Sequence, residues 1–277
     1  MSISRSTKKR LRAIEICASE DSSVRAFTKT KSYLESLFPK AEVVVKLSPL
    51  RNLPTGKINK LSHDLASARV KDISSPIQSF EPMSGEVDYE SRALKGEVKL
   101  GGVVYDGRMF EDILMRHFFR KRSVETASIV YTDRLVSTFS RDDLRHHLRT
   151  VVCGFPSIIS VPGVVEAPAK PREYYVAKQM LGPEGTGGLR SERLKTLMKG
   201  KFIDYGDPRS SLVLQGLALQ AVVHHITLEE FCPNPQCRLF NAHWQEDLIR
   251  TQVDSPQFCA EHEALLSDLS RDPLIKW

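Results

Sequence analysis

Apolar and polar positions change their period several times along this chain, and each change predicts an element. Leu11-Arg-Ala-Ile-Glu-Ile-Cys17 alternates with period two, as a half-buried strand does. From Ser22 to Leu37 the spacing of Val24, Phe27, Tyr33, Leu34 and Leu37 predicts a helix with one buried face. Ala41 to Leu47, with Val43-Val44-Val45 in its middle, predicts a central strand and completes a βαβ unit. Pro49, Pro54 and Gly56 mark a turn-rich passage. A helix over Ile58 to Val70 and a polar, irregular loop from Ser74 to Gly85 follow.

Beyond residue 96 the alternation of types resumes. Glu97 to Tyr105 predicts a strand, Asp106-Gly107 a turn, Met109 to Phe119 a helix and Ala127 to Tyr131 another strand. His147 to Val152 and Ser157 to Val161 predict two more strands around Gly154 and Pro156. Glu166 to Tyr175 is expected to be extended, since Pro168 and Pro171 each disfavour helix at the preceding residue. Gly182 to Gly188 has the composition of a flexible loop and lacks the Gly-Lys-Ser/Thr ending of a phosphate loop. Asp207-Pro208 then supplies an N-cap and a first-turn proline to a long helix. That helix runs through Leu212, Leu214, Leu217, Ala218, Ala221, Val222 and His225 toward Phe231, apolar nearly all round, which marks a buried central helix. The expected fold is α/β (α+β): a single domain over 1–277 with a mixed twisted sheet packed with helices. Residues 1–96 form its N-terminal βαβ part and loops, and 97–277 carry the central helix.

Composition narrows the class only a little. With 277 residues, 41% hydrophobic and 27% charged, the chain has the make-up of an ordinary soluble globule. The longest apolar stretch, Leu212 to Val223, is interrupted by Gln215, Gly216 and Gln220, too short and too polar to span a bilayer. The basic start, Lys8-Lys9-Arg10, lacks the apolar core of a secretory signal. Five cysteines, an odd number, fit a reducing compartment, so a cytoplasmic location is expected. Cys17 and Cys153 lie in apolar runs and are expected to be inert core thiols. A net charge of +6 and a pI near 9.0 favour acidic partners. The basic residues are nevertheless dispersed and no RNA-binding signature is present, so nucleic acid is a disfavoured partner.

The candidate chemistry lies after the central helix. Phe231-Cys232-Pro233-Asn234-Pro235-Gln236-Cys237 is followed by Phe258-Cys259-Ala260-Glu261-His262, pairing three of the cysteines and a histidine as C-x4-C and C-x2-H. Two close pairs of thiolate and imidazole donors suit tetrahedral zinc, and each short spacing lets one turn of backbone offer two ligands. Pro233 and Pro235 stiffen the first turn. The plainer reading makes these residues three small core hydrophobes and a surface histidine; the spacing favours the metal. With four protein ligands at Cys232, Cys237, Cys259 and His262, one Zn2+ would be closed to water and structural.

A buried helix leading into C-x4-C, then Phe258-Cys259 after Ser255-Pro256-Gln257, resembles the archaemetzincin family of zinc metallopeptidases. Tyr105-Asp106-Gly107-Arg108 before a helix and Tyr131-Thr132-Asp133 ending a strand are weaker echoes. The resemblance spans roughly 97–265 and is specific over 221–262. It implies a metzincin-like domain with a structural zinc on the knuckle, where His262 replaces the family's cysteine. It also implies a catalytic zinc on an HExxHxxGxxH helix. Here that motif is degenerate: its histidines fall on Ala221, His225 and Phe231, its glutamate on Val222 and its turn glycine on Leu228. Val222 cannot move a proton, and Ala221 and Phe231 cannot hold a metal. The resemblance therefore implies a divergent, archaeal-type relative that has lost conventional peptidase activity.

A rebuilt site would draw on residues near the old one. His225 and Glu229 share a helical face, His243 is a third donor, and Glu229, Glu230 or Glu246 would replace the lost base, with His224 also close by. The competing reading makes His225 a hydrogen-bonded core residue. The expected function is peptide or protein binding on a metallopeptidase scaffold, an edge strand beside the helix pairing with an extended peptide. The alternatives are an active metallohydrolase with a second ion around His225 and a zinc-dependent nucleic-acid binder.

Overall fold

The computed structural model describes residues 9–78, 80–121, 123–180 and 196–277. Its frame is a five-stranded sheet in the order β2-β1-β4-β8-β7, built from β1 (Ala13–Cys17), β2 (Glu42–Lys46), β4 (Thr126–Thr132), β8 (Ser157–Ser160) and β7 (Val151–Val152). All neighbours run parallel except β7, which is antiparallel to β8. A smaller sheet, β3-β5-β6, joins β3 (Val104–Asp106), β5 (Leu135–Ser140) and β6 (Arg145–Arg149). Only two residues separate β4 from β5 and one separates β6 from β7, so two short links tie the smaller sheet to the larger. The N-terminal βαβ unit is not set apart from the rest: β1 lies between β2 and β4.

Each face of the sheet buries its own cluster. On one face Ile14, Ile16, Val43 and Ile129 pack with Phe27, with Leu34 of α1 (Thr28–Leu37), with the central helix Ser210–Thr227 and with Cys232 and Cys237. On the other, Cys17, Val130 and Ile158 pack with α2 (Thr55–Ser67) and α4 (Gly107–Leu114). The side-chain alternation of β1 and β4 is what serves two layers at once. Cys17 and Cys153 are both buried, and burial pushes the Cys153 thiol up to about 12.

Several expected elements change. The segment 41–47 forms a strand at the edge of the sheet rather than in its centre. Strand propensity reports side chains that fit a pleated surface, and Val43-Val44-Val45 fits an edge as well as a middle. Of Glu97 to Tyr105 only the end is strand; Gly102, at φ +69°, breaks the run. The helix expected from Ser22 starts as a 3-10 turn at Val24–Phe27 before α1. The irregular loop ends at Met83, where α3 (Ser84–Leu94) begins and the Glu86 carboxylate accepts the Met83 N–H at 2.8 Å. α3 is held by Glu90, which takes Arg134 and Arg69 at 2.6 Å each and the Tyr105 hydroxyl at 2.7 Å, with Glu90, Arg134 and Tyr105 in the interior. No periodicity signals a helix anchored by a buried ion network, and β5 was equally unmarked.

Glu166 to Tyr175 is not extended throughout. Gly163–Glu166 forms a helical turn, α5, and α6 covers Arg172–Met180. Pro171 restricts Lys170 before it but is compatible with a helix starting after it. The loop Gly182–Gly188 lies outside the described residues. Asp207 accepts the Arg209 N–H at 2.9 Å as a cap would, and regular helix starts at Ser210.

Candidate metal centre and the adjoining cleft

The central helix ends at Thr227 because Leu228 turns into the left-handed region, at φ 64° and ψ 3°, its N–H closing on the His224 carbonyl at 2.8 Å. That conformation costs a non-glycine residue roughly 1–2 kcal/mol. The chain then reaches a short loop pinned by its own backbone. Cys232 N–H donates to Leu239 O at 2.8 Å, Cys237 N–H to Asn234 O at 3.0 Å and Phe240 N–H to Cys237 O at 3.0 Å. The Asn234 side chain accepts the Gln236 N–H at 2.9 Å, completing the turn between the two cysteines. Cys259 caps the C-terminal helix Ala260–Arg271, and His262 stands in its first turn. The ligand atoms of Cys232, Cys237, Cys259 and His262 all lie within 4.8 Å of one another.

The donor set fits a tetrahedral ion. Zn–S bonds of ~2.3 Å set sulfur–sulfur edges at ~3.8 Å in a tetrahedron. Cys232 Sγ and Cys259 Sγ are 3.8 Å apart, and Cys259 Sγ is 3.1 Å from His262 Nδ1. Burial raises the Cys232 thiol to about 12. Burial also acts to raise Cys259, but hydrogen bonds from the His262 backbone and ring and from the other two thiols outweigh it and bring Cys259 down to about 7. The positive end of the C-terminal helix adds to that stabilisation of the thiolate. Beside the knuckle is a residue that sequence reasoning passed over. Arg238 is buried with no carboxylate paired to it among the described residues: it donates to the Tyr33 hydroxyl at 2.8 Å and to Gln252 at 3.3 Å, tying the loop to α1. Its position next to Cys237 was the only signal.

The other predicted residues do not gather. Among the described residues no further group of three or more His, Cys, Asp or Glu lies close enough to hold an ion. His225 is in the core, its Nε2 2.7 Å from the Val124 carbonyl and its own carbonyl accepting Trp277 Nε1 at 2.8 Å. Ala221 and Val222 are buried as well. Glu229 and Glu246 are exposed.

The chain matches the Probable metallopeptidase family (DUF6775) over residues 13–269. It belongs to that family. Archaemetzincin from Methanopyrus kandleri superposes with a TM-score of 0.43 at 11% identity, covering 94% of this chain and 94% of that one. A zinc-dependent peptidase from Methanocorpusculum labreanum (strain Z) gives 0.38 at 12% identity, covering 91% of this chain and 99% of that one. Among curated proteins there is no match.

In this family member a cleft of about 1110 Å³ opens along the sheet. One wall is the outer edge of β6 and β7; the other is made by Glu166–Lys170, Tyr174 and Tyr175, and by Glu230, Phe231 and His243. Thus the 166–178 stretch borders the opening. His243 reaches it while its carbonyl accepts the Ala169 N–H at 2.8 Å. Arg108 crosses the cleft, donating to Cys153 O at 2.7 Å with Glu230 at 3.5 Å. Desolvation lowers the Arg149 guanidinium, with Glu230 opposing the shift, and its Nε donates to Thr138 Oγ1 at 2.7 Å. Hydrogen bonding sets which backbone groups face outward. His146 N–H donates away from β5 to Ile73 O at 2.7 Å, so two-residue alternation turns Leu148 outward as well. Thr150 O accepts from Ser160 on the β8 side at 2.9 Å, which turns Val151 outward. Ala221, Val222 and His225 do not line this cleft.

Proposed function

We propose that this chain is a zinc-stabilised member of its family that binds an extended peptide along the β6–β7 edge and does not hydrolyse it by the HExxH route. The observation that carries the reading is the contrast between neighbouring sites. Cys232, Cys237, Cys259 and His262 form a complete tetrahedral donor set. The central helix offers Ala221 and Val222 where a metallopeptidase needs a ligand and a base. Four protein ligands leave no open position on the ion, so the zinc stabilises the fold. Leu148 and Val151 supply outward N–H and C=O groups to an added strand, while Arg108, Arg149 and the tyrosines of α6 supply side-chain contacts.

Mass spectrometry of the purified protein should find one zinc per chain. Extended peptides, screened by fluorescence anisotropy, should bind, and Leu148→Pro or Val151→Pro should weaken binding about tenfold or more. Those N–H groups face away from the intrachain ladder, and circular dichroism and zinc content matching the wild type establish that each variant is folded. Two zinc ions per chain, with peptide hydrolysis abolished by His225→Ala or His243→Ala, would overturn the reading in favour of a rebuilt hydrolase.

A further inference from the structure

The five-stranded sheet has a second open edge, β2, opposite the one at the cleft. Two hydrogen bonds fix which of its residues face inward. Glu42 N–H donates to Arg12 O at 2.8 Å, and Lys46 O accepts the Ala18 N–H at 2.9 Å, so Glu42, Val44 and Lys46 direct their backbone toward β1. Val43 and Val45 therefore turn N–H and C=O away from β1, with no backbone hydrogen-bond partner among the described residues. Alongside lies an open groove of about 730 Å³, between β2 and the face of α1 that carries Thr28, Lys31 and Glu35. Natural sheets usually blunt such an edge with a mid-strand charge, a proline or a bulge. Here the run is Glu-Val-Val-Val-Lys, with charges only at its ends, Val43 buried and Val44 and Val45 half-buried.

That run is complementary to itself. Laid antiparallel about Val44, two copies set Glu42 against Lys46 at both ends and Val43 against Val45. The outward residues then become the ones that exchange N–H···O bonds. The charged residues fall at non-hydrogen-bonded positions, where side chains approach most closely. A one-residue slip would oppose outward groups to inward ones and break the ladder. Glu42 is exposed and has no ion-pair partner among the described residues; Lys46 reaches Glu15 at 2.9 Å while its side chain stays 51% exposed. On the helix lining the groove, Lys31 and Glu35 add opposite charges. We infer that a second copy of this chain docks on β2 by antiparallel sheet extension centred on Val44, joining two five-stranded sheets into one across a two-fold axis. This surface is independent of the cleft and of any activity there.

The test is sedimentation equilibrium of the full-length, zinc-loaded protein over a concentration series, with two charge reversals. Glu42→Lys sets Lys against Lys at both ends of the pairing, and Lys46→Glu sets Glu against Glu. Each alone should weaken self-association about tenfold or more. Mixed in equal amounts, the two variants should recover it as a heterodimer, because every end pair is then opposite in sign. Circular dichroism and zinc content matching the wild type establish that both variants are folded. A wild-type protein that stays monomeric at every concentration would overturn the inference. So would single variants that dimerise like the wild type, or a mixture that fails to recover association.

Discussion

His225 and His262 are both buried histidines close to one helix end and one knuckle, yet they are put to opposite uses. His262 stands 3.1 Å from a cysteine sulfur, with two further thiols in reach. His225 spends its Nε2 on the Val124 carbonyl and packs its ring against Phe155 at 5.2 Å. The difference does not lie in the imidazole. It lies in what the neighbouring positions supply: Cys232, Cys237 and Cys259 in one case, Ala221, Val222 and Phe231 in the other. A ligand side chain becomes a metal site only when its neighbours bring enough further donors to repay desolvation of the ion.

The hardest test of that contrast is to remove a knuckle donor. Cys232→Ala or Cys259→Ala should abolish zinc binding and cost several kcal/mol, since binding free energies of structural zinc are on the order of 10 kcal/mol and are coupled to folding. Metal analysis and thermal melts read both effects, and prolonged chelation of the wild type should reproduce the loss. A wild-type melting temperature retained after complete metal removal would end the assignment. His225→Ala should act differently, losing about 2–4 kcal/mol through a core cavity and the stranded Val124 carbonyl. Zinc per chain should not change; a fall in zinc content would erase the distinction drawn between the two histidines. The smallest effect is expected at Leu228, 45% exposed and left-handed. Leu228→Gly should relieve backbone strain and stabilise the protein by up to about 1 kcal/mol. A melting temperature that falls instead would mean that the leucine side chain holds the turn through its contacts.

Much of this could be read before any coordinates. Cys232, Cys237, Cys259 and His262 were legible because two short spacings confine four donors to two turns. The buried helix was legible because its sequence is apolar on every side. The βαβ start followed from a change of period between Leu11 and Leu47. Other features left no such trace. β5, Leu135–Ser140, has no turn residue or long alternation to announce it. α3 owes its place to Glu90 and Arg134, forty-four residues apart in sequence, meeting in the interior. The helix after Pro171 was hidden by a rule that constrains only the residue before a proline.

By itself the sequence determined the chemistry of the donors, the presence of side chains at Ala221 and Val222 that can neither hold a metal nor move a proton, and the class of fold. These are local properties: residue type, spacing and period. Only the tertiary structure decided where each potential went. It set Val43-Val44-Val45 at an edge of the sheet, brought the two halves of the knuckle within 4.8 Å, and gave His225 a carbonyl where a metal would have needed further donors. The reason is physical. A side chain's role depends on groups distant in sequence, and backbone hydrogen bonding and burial choose those neighbours when the chain closes on itself.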